Sequence, residues 1–202
     1  MLLMPCVKLE DSDSRLAYNI KKDLDHDWNY WILDLTNDIS IPVMAAIAQN
    51  RKNRSFRFGY GCHLNPIIAC NRALLELCQI ISSYSGEKNI FDFNAVQDRP
   101  YLFPAEDKCV SNFKSYNFMP DSDICNDIEI CIKKIKDCGF DLFVLNASRP
   151  ELPVNAVKVI VPGLCHIWPQ FGNQRLYNLP SVLDIRKKKL SENELNNIPL
   201  FV

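Results

Sequence analysis

The most apolar stretch of the chain is predicted to be a helix over residues 66–85. Asn65 can cap its first turn, because a side-chain amide oxygen accepts a hydrogen bond from an unpaired backbone amide. Pro66 suits the first helical position, where no backbone donor is needed, and Gly86 suits the stop. Since apolar residues occupy nearly every side of this segment, we expect the helix to be buried.

Short apolar runs before this helix predict β-strands. They cover residues 30–35, 41–48 and 55–60, with polar turns at 36–40 and 50–54 between them. The first ten residues are extended and form a fourth candidate strand. Residues 11–28 carry Leu16, Ile20 and Leu24 at a spacing of four, which predicts an amphipathic helix.

The region after the apolar helix is predicted to begin irregularly. Residues 87–120 hold three prolines and are predicted to be a long surface loop with room for one short helix. A helix is predicted over residues 123–138, capped by Asp121 or Ser122 and ended by Gly139. Its expected inner face consists of Ile124, Ile128, Cys131, Ile132 and Ile135.

Two further strands, over residues 140–146 and 157–161, complete the predicted elements. Helices interspersed with strands in this order predict an α+β fold of mixed sheets and helices. No linker, internal repeat or low-complexity segment divides the sequence, so residues 1–202 are predicted to belong to one domain.

The composition narrows the range of partners and compartments. A formal net charge of -1 predicts neither a nucleic-acid partner nor an anionic membrane surface. The chain has no apolar run of about 20 residues to span a membrane, and its start lacks the basic region of a signal peptide. The nine cysteines contain no CxxC pair, so reduced thiols in the cytoplasm are the expected state.

One polar stripe interrupts the apolar helix. Arg72, Glu76 and Gln79 lie at positions i, i+4 and i+7, on one side of the helix. Burying these groups without partners would be costly. An intrahelical ion pair would account for two of them, whereas a magnesium–nucleotide site would use the carboxylate for the cation, the guanidinium for phosphate and the amide for directional hydrogen bonds. The residues alone leave both explanations open.

Two Cys-His pairs, Cys62–His63 and Cys165–His166, are candidates for a nucleophilic cysteine or a zinc site. Adjacent side chains usually point apart and rarely bind one ion together. A hydrogen-bonded loop histidine is the favoured alternative for His63.

Three further charged residues end predicted strands. Asp34 and Asp38 follow a predicted strand, and two carboxylates at its carboxyl end could bind a cation. Turn chemistry explains Asn37 and Asp38 equally well. Arg149 follows another strand, in a position that suits anion binding or a surface turn.

Several motifs resemble those of YcaO-domain proteins. Residues 59–79, GYGCHLNPIIACNRALLELCQ, resemble a family block in which a glycine turn with histidine and proline leads into a helix with the pattern RALxExxQ. The segments DLTNDISIPVMAAIA, VLNASRPELPVNAVKVIVPGLCHIW, RLYNLP and NELNNIPLF resemble other family segments in the same order. The earlier SxxExxER block of the family is absent. Residues 1–202 therefore resemble the C-terminal portion of a YcaO-like domain.

The resemblance implies an enzyme that uses ATP and Mg2+ to phosphorylate a backbone amide oxygen of a ribosomal precursor peptide. The products of such enzymes are thiazolines, oxazolines or thioamides, as in bacteriocin biosynthesis. By the same resemblance, Glu76 matches a magnesium ligand, Gln79 an amide that contacts the nucleotide and Arg72 the helix arginine. His63 and Arg149 match further positions of the nucleotide site, and no catalytic residue is assigned.

The absent block supplies magnesium and nucleotide contacts in the family, so the resemblance implies a site that is half present in this chain. An active enzyme would then need a partner protein of the modifying complex or a missing N-terminal half. The alternative is a non-catalytic or split fragment that binds a peptide or a partner protein. A cysteine-dependent hydrolase using Cys62 or Cys165 is a third hypothesis.

Overall fold

The computed structural model describes residues 4–7, 19–20, 24, 26–83, 100–110, 123–166, 170–184 and 186–195. These residues form two compact units. The first takes its residues from 1–37, 41–120 and 196–202, and the second from 38–40 and 121–195. The prediction that residues 1–202 belong to one domain stays a prediction.

The first unit is built on a five-stranded sheet with one helix. Its elements are β1 (Met4–Val7), β2 (Trp28–Asp34), β3 (Val43–Asn50), β4 (Phe56–Cys62), α1 (Pro66–Ser83) and β5 (Pro104–Val110), with a short 3-10 turn at Pro100–Leu102. The strand order is β4-β3-β2-β1-β5. The β1–β5 pair is parallel, and the other neighbours are antiparallel.

Strand β3 is the buried centre of this sheet. Ala46 of β3 is paired with Ile32 of β2 on one side and with Gly59 of β4 on the other. Residues 44–48 are all apolar and at most 3% exposed. Because successive side chains of a strand point to opposite faces, such a continuous apolar run requires cover on both faces of the sheet.

That cover comes from two groups of side chains. On one face, α1 contributes Ala69, Cys70, Ala73, Leu74 and Leu77 to a core cluster. On the other face lies a second cluster, formed by Leu33, Ile47, Phe56, Phe58 and Leu102. The Trp31 indole N–H donates to the Leu102 carbonyl at 2.7 Å, and its ring stacks on Phe103. These contacts hold the 3-10 turn against the sheet.

The second unit has two helices and a two-stranded sheet. Its elements are α2 (Ile124–Asp137), β6 (Phe143–Asn146), β7 (Val157–Ile160), α3 (Arg175–Val182) and a 3-10 turn at Glu192–Glu194. Strands β6 and β7 pair in antiparallel register. Within the described residues of this unit, Pro180 is the only buried one.

Most predicted elements are present with ends shifted by a few residues, and the mixed α+β fold class is confirmed. The prediction for residues 11–28 falls largely outside the described residues. Asn19, Ile20 and Leu24 are helical there, but β2 already begins at Trp28, so the predicted helix end is too late. Gly86 also lies outside the described residues.

The prediction of a fully buried α1 is wrong. Arg72, Leu75 and Gln79 are exposed, because the sheet covers only one side of the helix. The loop predicted over residues 87–120 is wrong at β5. That strand has a charged centre, and its parallel partner β1 lies about a hundred residues away, so local sequence does not reveal it.

Two predictions for α2 are also wrong. Its N-cap is Asp123, whose carboxylate accepts a hydrogen bond from the Cys125 amide at 2.9 Å. The expected inner face is not buried: Ile124 is 73% exposed and Ile128 is 52% exposed. An amphipathic pattern identifies the apolar face of a helix without specifying what covers it.

Candidate functional site

The candidate site lies where α1 packs on β4. Gly59 and Gly61 of β4 face the helix backbone. A Cβ atom added to Gly59 would overlap the Ala73 carbonyl, and one added to Gly61 would overlap the Ala69 carbonyl. The missing side chains therefore allow α1 to lie directly against the strand.

The turn that joins β4 to α1 is held by side-chain acceptors. Asn65 accepts a hydrogen bond from the Ile67 amide at 2.9 Å, which confirms the predicted cap. His63 Nδ1 accepts from the Asn65 amide at 2.9 Å. An accepting Nδ1 carries no proton, so the ring N–H of a neutral His63 lies at Nε2. The alternative of a hydrogen-bonded loop histidine is therefore confirmed.

Two residues of the polar stripe bind the backbone of β4. Arg72 Nη1 donates to the Cys62 carbonyl at 2.9 Å. The Tyr60 amide donates to Glu76 Oε2. Both backbone groups belong to the side of β4 that does not pair with β3, so the stripe satisfies an otherwise open strand edge.

These bonds replace the ion pair considered from the sequence. Both side chains are described, and neither forms an ion pair with the other, since each charged group is directed to β4. The intrahelical ion pair is therefore wrong as an explanation of the stripe.

The carboxylate of Glu76 is a fixed negative charge with one oxygen available. It is half-buried, and within the described part of the chain Oε1 receives no hydrogen bond. Burial, and then the negative charge of Glu76, raise the pKa of Tyr60 to about 12. Both causes disfavour the phenolate, so Tyr60 stays neutral beside the carboxylate.

The face of α1 around this carboxylate is open. Arg72 and Gln79 are exposed on either side of Glu76, and Leu75 is 52% exposed beside them. The structure thus brings Arg72, Glu76 and Gln79 together on one helix face, with His63 in the turn before that helix. Arg149 belongs to the second unit, where it is exposed in the connection from β6 to β7 and its carbonyl accepts from the Leu152 amide at 3.1 Å.

The carboxylates Asp34 and Asp38 have other partners. Asp34 accepts a hydrogen bond from the Thr36 amide at 2.9 Å. Asp38 forms a two-pronged ion pair with Arg175, which donates from Nη1 at 2.9 Å and also from Nη2. Hydrogen bonding from Arg175 lowers the pKa of Asp38. Asp38 is thus neutralised by arginine rather than left to bind a cation.

Arg175 organises the second unit, and no role was predicted for it. Its guanidinium lies 5.1 Å from the centroid of the Phe140 ring, while Lys134 donates to the Ser40 carbonyl at 3.1 Å. Asp38 precedes Arg175 by 137 residues. Nothing in the local sequence signals a pair at that separation.

The described residues were compared with the requirements of a metal centre. No group of three or more Cys, His, Asp or Glu side chains is placed to hold an ion within the described residues. The zinc hypothesis for the two Cys-His pairs therefore gains no support. In the same residues, no helix is both long enough and apolar enough to cross a membrane.

Comparison with known proteins identifies a matching family. The model of the family described as YcaO cyclodehydratase, ATP- and Mg2+-binding, matches residues 3–165. An uncharacterized protein of Methanothermobacter thermautotrophicus is 28% identical over 158 residues, which are 66% of this chain and 38% of that protein.

Solved structures agree with this match. A heterocyclase in complex with substrate and cofactor is 29% identical with a TM-score of 0.89, and the match covers 98% of this chain and 28% of that one. The heterocyclase TruD has the same identity and TM-score, with 100% and 29% covered. A YcaO from Methanopyrus kandleri bound with AMPPCP and Mg2+ is 14% identical with a TM-score of 0.63, covers 96% and 51%, and shows the fold alone. The chain thus spans well under half of the curated relative and of both heterocyclases.

Proposed function

We propose that this chain, which belongs to the YcaO family, supplies one wall of an ATP- and magnesium-dependent site that modifies peptides. The proposed reaction is cyclodehydration. ATP would transfer its γ-phosphate to a backbone amide oxygen of a precursor peptide and be released as ADP. The sulfur or oxygen of a Cys, Ser or Thr side chain of that peptide would bond to the amide carbon, and the amide C–O bond would break as phosphate leaves with that oxygen. Loss of the side-chain and amide protons would complete the thiazoline or oxazoline ring. Thioamide formation, with an external sulfide as the nucleophile, is the other product class.

The observation that carries this proposal is the position of Glu76. Its Oε2 is anchored by the Tyr60 amide, while Oε1 remains available on an open helix face. Mg2+ is typically bound through one or two carboxylates, with phosphates and water as the remaining ligands. A single fixed carboxylate therefore fits a magnesium ion that is also held by a nucleotide and by residues from elsewhere.

The neighbouring side chains suit phosphate and nucleotide recognition. Arg72 uses Nη1 for the Cys62 carbonyl and keeps its other guanidinium donors for phosphate oxygens. Gln79 lies one turn further along α1 and offers an amide. His63 can donate from Nε2. Arg149 stays a candidate anion ligand by the family resemblance alone.

These roles match what phosphoryl transfer requires. The transferred group needs alignment and neutralisation of charge, and little covalent chemistry from the protein. In this proposal Glu76 and Arg72 bind and orient the reacting phosphate. This chain does not need to supply a catalytic base. The rest of the site would come from a partner protein or from polypeptide N-terminal to the matched segment, since the heterocyclases contain more than this chain spans.

The substrate proposal draws on the heterocyclases. One of them is solved in complex with substrate and cofactor at 29% identity to this chain. A ribosomal precursor peptide is the proposed substrate class, as the family resemblance implies. A cytoplasmic location stays a prediction from the sequence.

The second candidate function is a non-catalytic or split fragment that binds a peptide or a partner. The observation in its favour is that the described residues supply one candidate carboxylate and no three-ligand metal group. Under this alternative the stripe of α1 serves only to close the edge of β4.

Calorimetry with ATP and MgCl2 separates the two candidates. The sample is a chimera in which this chain replaces the matched segment of TruD, measured beside the isolated chain. We expect the chimera to bind ATP, and Glu76→Gln to weaken that binding at least about tenfold, or about 1.4 kcal/mol. Glu129→Gln, the same change at an exposed position of α2, should leave binding unchanged.

Retention of full ATP binding and turnover by the Glu76→Gln chimera would remove the metal role of Glu76. Absence of heat with the isolated chain at high concentration would exclude ATP binding by this chain alone and would leave the complemented site as the form to test.

A further inference from the structure

The second unit has almost no interior of its own. Within its described residues, Pro180 is the only one that is buried. Protein units normally bury one face of each sheet or helix against another layer. This unit instead leaves its apolar residues exposed, which indicates a missing layer.

The exposure is greatest along the two-stranded sheet. Phe143, Val144 and Leu145 of β6 are each more than half exposed, as are Val157 and Val159 of β7, and Ile160 is 43% exposed. We call these six residues the apolar hairpin surface. Exposed apolar residues that are clustered in this way, rather than scattered singly, indicate an interaction site.

The surface covers both faces of the sheet. The register places Phe143 opposite Ile160 and Leu145 opposite Lys158, and these side chains share one face. Val144 opposite Val159 and Asn146 opposite Val157 share the other face. A two-stranded sheet that is apolar on both faces is marginal by itself and is stable when layers cover it.

We infer that the apolar hairpin surface is a docking surface for the polypeptide that heterocyclases carry outside the segment matched by this chain. The matched segment is 28% or 29% of those chains, so more than two thirds of each lies outside it. That polypeptide is long enough to cover both faces of the hairpin. The inference rests on the proposed function in one respect, because the heterocyclase architecture identifies the occupant.

The chemistry of the surface favours a folded protein layer. Five of its six residues are aliphatic, the sixth is phenylalanine, and Lys158 is the single charge between the paired strands. Such a surface offers little to an anionic ligand and suits the apolar side of a sheet or helix. Ile124 and Ile128, one turn apart on α2, add a second exposed apolar stripe in the same unit.

Hydrogen exchange tests the inference on the full chain and on the TruD chimera. In the isolated chain, amides of β6 and β7 should exchange rapidly while those of β2 to β4 stay protected. In the chimera, exchange in β6 and β7 should slow by at least about 100-fold, because covered strands open only with the larger structure. Equal exchange in both samples, with β2 to β4 protected in each, would overturn the inference.

A pair of variants keeps the test decisive if the chimera fails to fold. The double change Val144→Thr and Val159→Thr should leave the urea midpoint of the second unit, followed by hydrogen exchange of α2, unchanged in the isolated chain and reduce the binding of a hydrophobic dye. The matched control, Val144→Ile with Val159→Ile, should keep dye binding. A lowered midpoint in the threonine variant, or protection of β6 and β7 in the isolated chain, would show that the surface is already covered and would overturn the inference.

The readouts separate docking from the proposed function. Docking is measured by exchange, and peptide modification by ATP binding and ring formation. A chimera with protected β6 and β7 that does not bind ATP would retain the docking surface and reject the proposed function.

Discussion

At the scale of single residues, Glu76 has a structural partner and an available oxygen at once. Its carboxylate accepts from the Tyr60 amide at the edge of β4. This bond fixes the carboxylate in a position where its other oxygen could bind a cation, including a metal ion held by phosphate. A stripe that closes a strand edge can therefore also be one wall of a binding site, and the two roles need separate measurements.

The ionisation of Tyr60 reports the charge of Glu76 without any ligand. The pKa of Tyr60 is raised to about 12, first by burial and second by Glu76. We expect Glu76→Gln to lower the Tyr60 pKa from that value while leaving it above its ordinary value, because burial remains. NMR titration of labelled tyrosine measures it, with Tyr60→Phe to assign the signal.

The same shift predicts a stability change at alkaline pH. A raised tyrosine pKa stabilises the folded state below the unfolded value of about 10, and this contribution is lost as the pH rises toward about 12. An unchanged Tyr60 pKa in Glu76→Gln would contradict the placement of the carboxylate beside it.

The Asp38–Arg175 pair predicts acid sensitivity. Hydrogen bonding from Arg175 lowers the pKa of Asp38, so its stabilising effect is complete above the unfolded value of about 3.9 and is lost as the pH falls through the folded value. We expect Asp38→Asn to cost about 1–3 kcal/mol at neutral pH. The difference in unfolding free energy between the two proteins is measured by urea unfolding at neutral and acidic pH, with hydrogen exchange of α3 as the signal.

Asp27→Asn is the matched control. Asp27 pairs with Lys52 at 3.0 Å, but both side chains are more than half exposed. Its loss should cost less than about 1 kcal/mol. If Asp38→Asn lowered the free energy of unfolding by the same amount at acidic and at neutral pH, the charge of Asp38 would not be what stabilises the second unit.

At the scale of elements, the packing of α1 on β4 depends on two glycines. The side chains that would separate the helix from the strand are absent at Gly59 and Gly61. This close approach brings Glu76 within reach of the β4 backbone. The candidate site thus depends on a packing distance as well as on the residues that line it.

We expect Gly61→Ala to destabilise the first unit by about 1–3 kcal/mol or more, because the added Cβ would overlap backbone atoms of α1 that cannot rotate away. Gly172→Ala is the matched control, since a Cβ there meets no atom within 4 Å. The urea midpoint of the first unit, followed through the Trp31 signal in both variants, measures the effect. Equal midpoints for the two would mean that α1 does not lie this close to β4.

At the scale of the whole molecule, the two units differ in how much they bury. The first encloses the two core clusters, whereas the described part of the second has a single buried residue. Stability within one chain follows such differences in buried apolar contacts. The isolated chain should therefore not behave as one cooperative unit.

We expect the second unit to lose its structure at lower urea concentration than the first. Hydrogen exchange at increasing urea should unprotect α2, β6 and β7 before β2, β3 and β4. Peptides that contain Asp123 or Pro180 measure exchange in the second unit, and peptides that contain Trp31 measure it in the first. Coincident transitions for both sets would contradict this prediction and would indicate a shared core.

Local sequence patterns were enough to predict strands β1 to β4 of the central sheet, the start and cap of α1, the mixed fold and the family resemblance. These features depend on neighbours in the chain: apolar runs bounded by turns, Asn65 before Pro66, and motifs in a set order. The family match confirms the resemblance.

The pairing of distant residues and the cover of apolar faces are visible only in the tertiary structure. There, β5 pairs with β1, Asp38 with Arg175 and Glu76 with the Tyr60 amide. The partners of each pair lie too far apart in the sequence for residue periodicity to predict them. The tertiary structure also leaves one side of α1 and both faces of the β6–β7 sheet uncovered. An amphipathic pattern states which side chains avoid water, and only packing shows whether anything in this chain covers them.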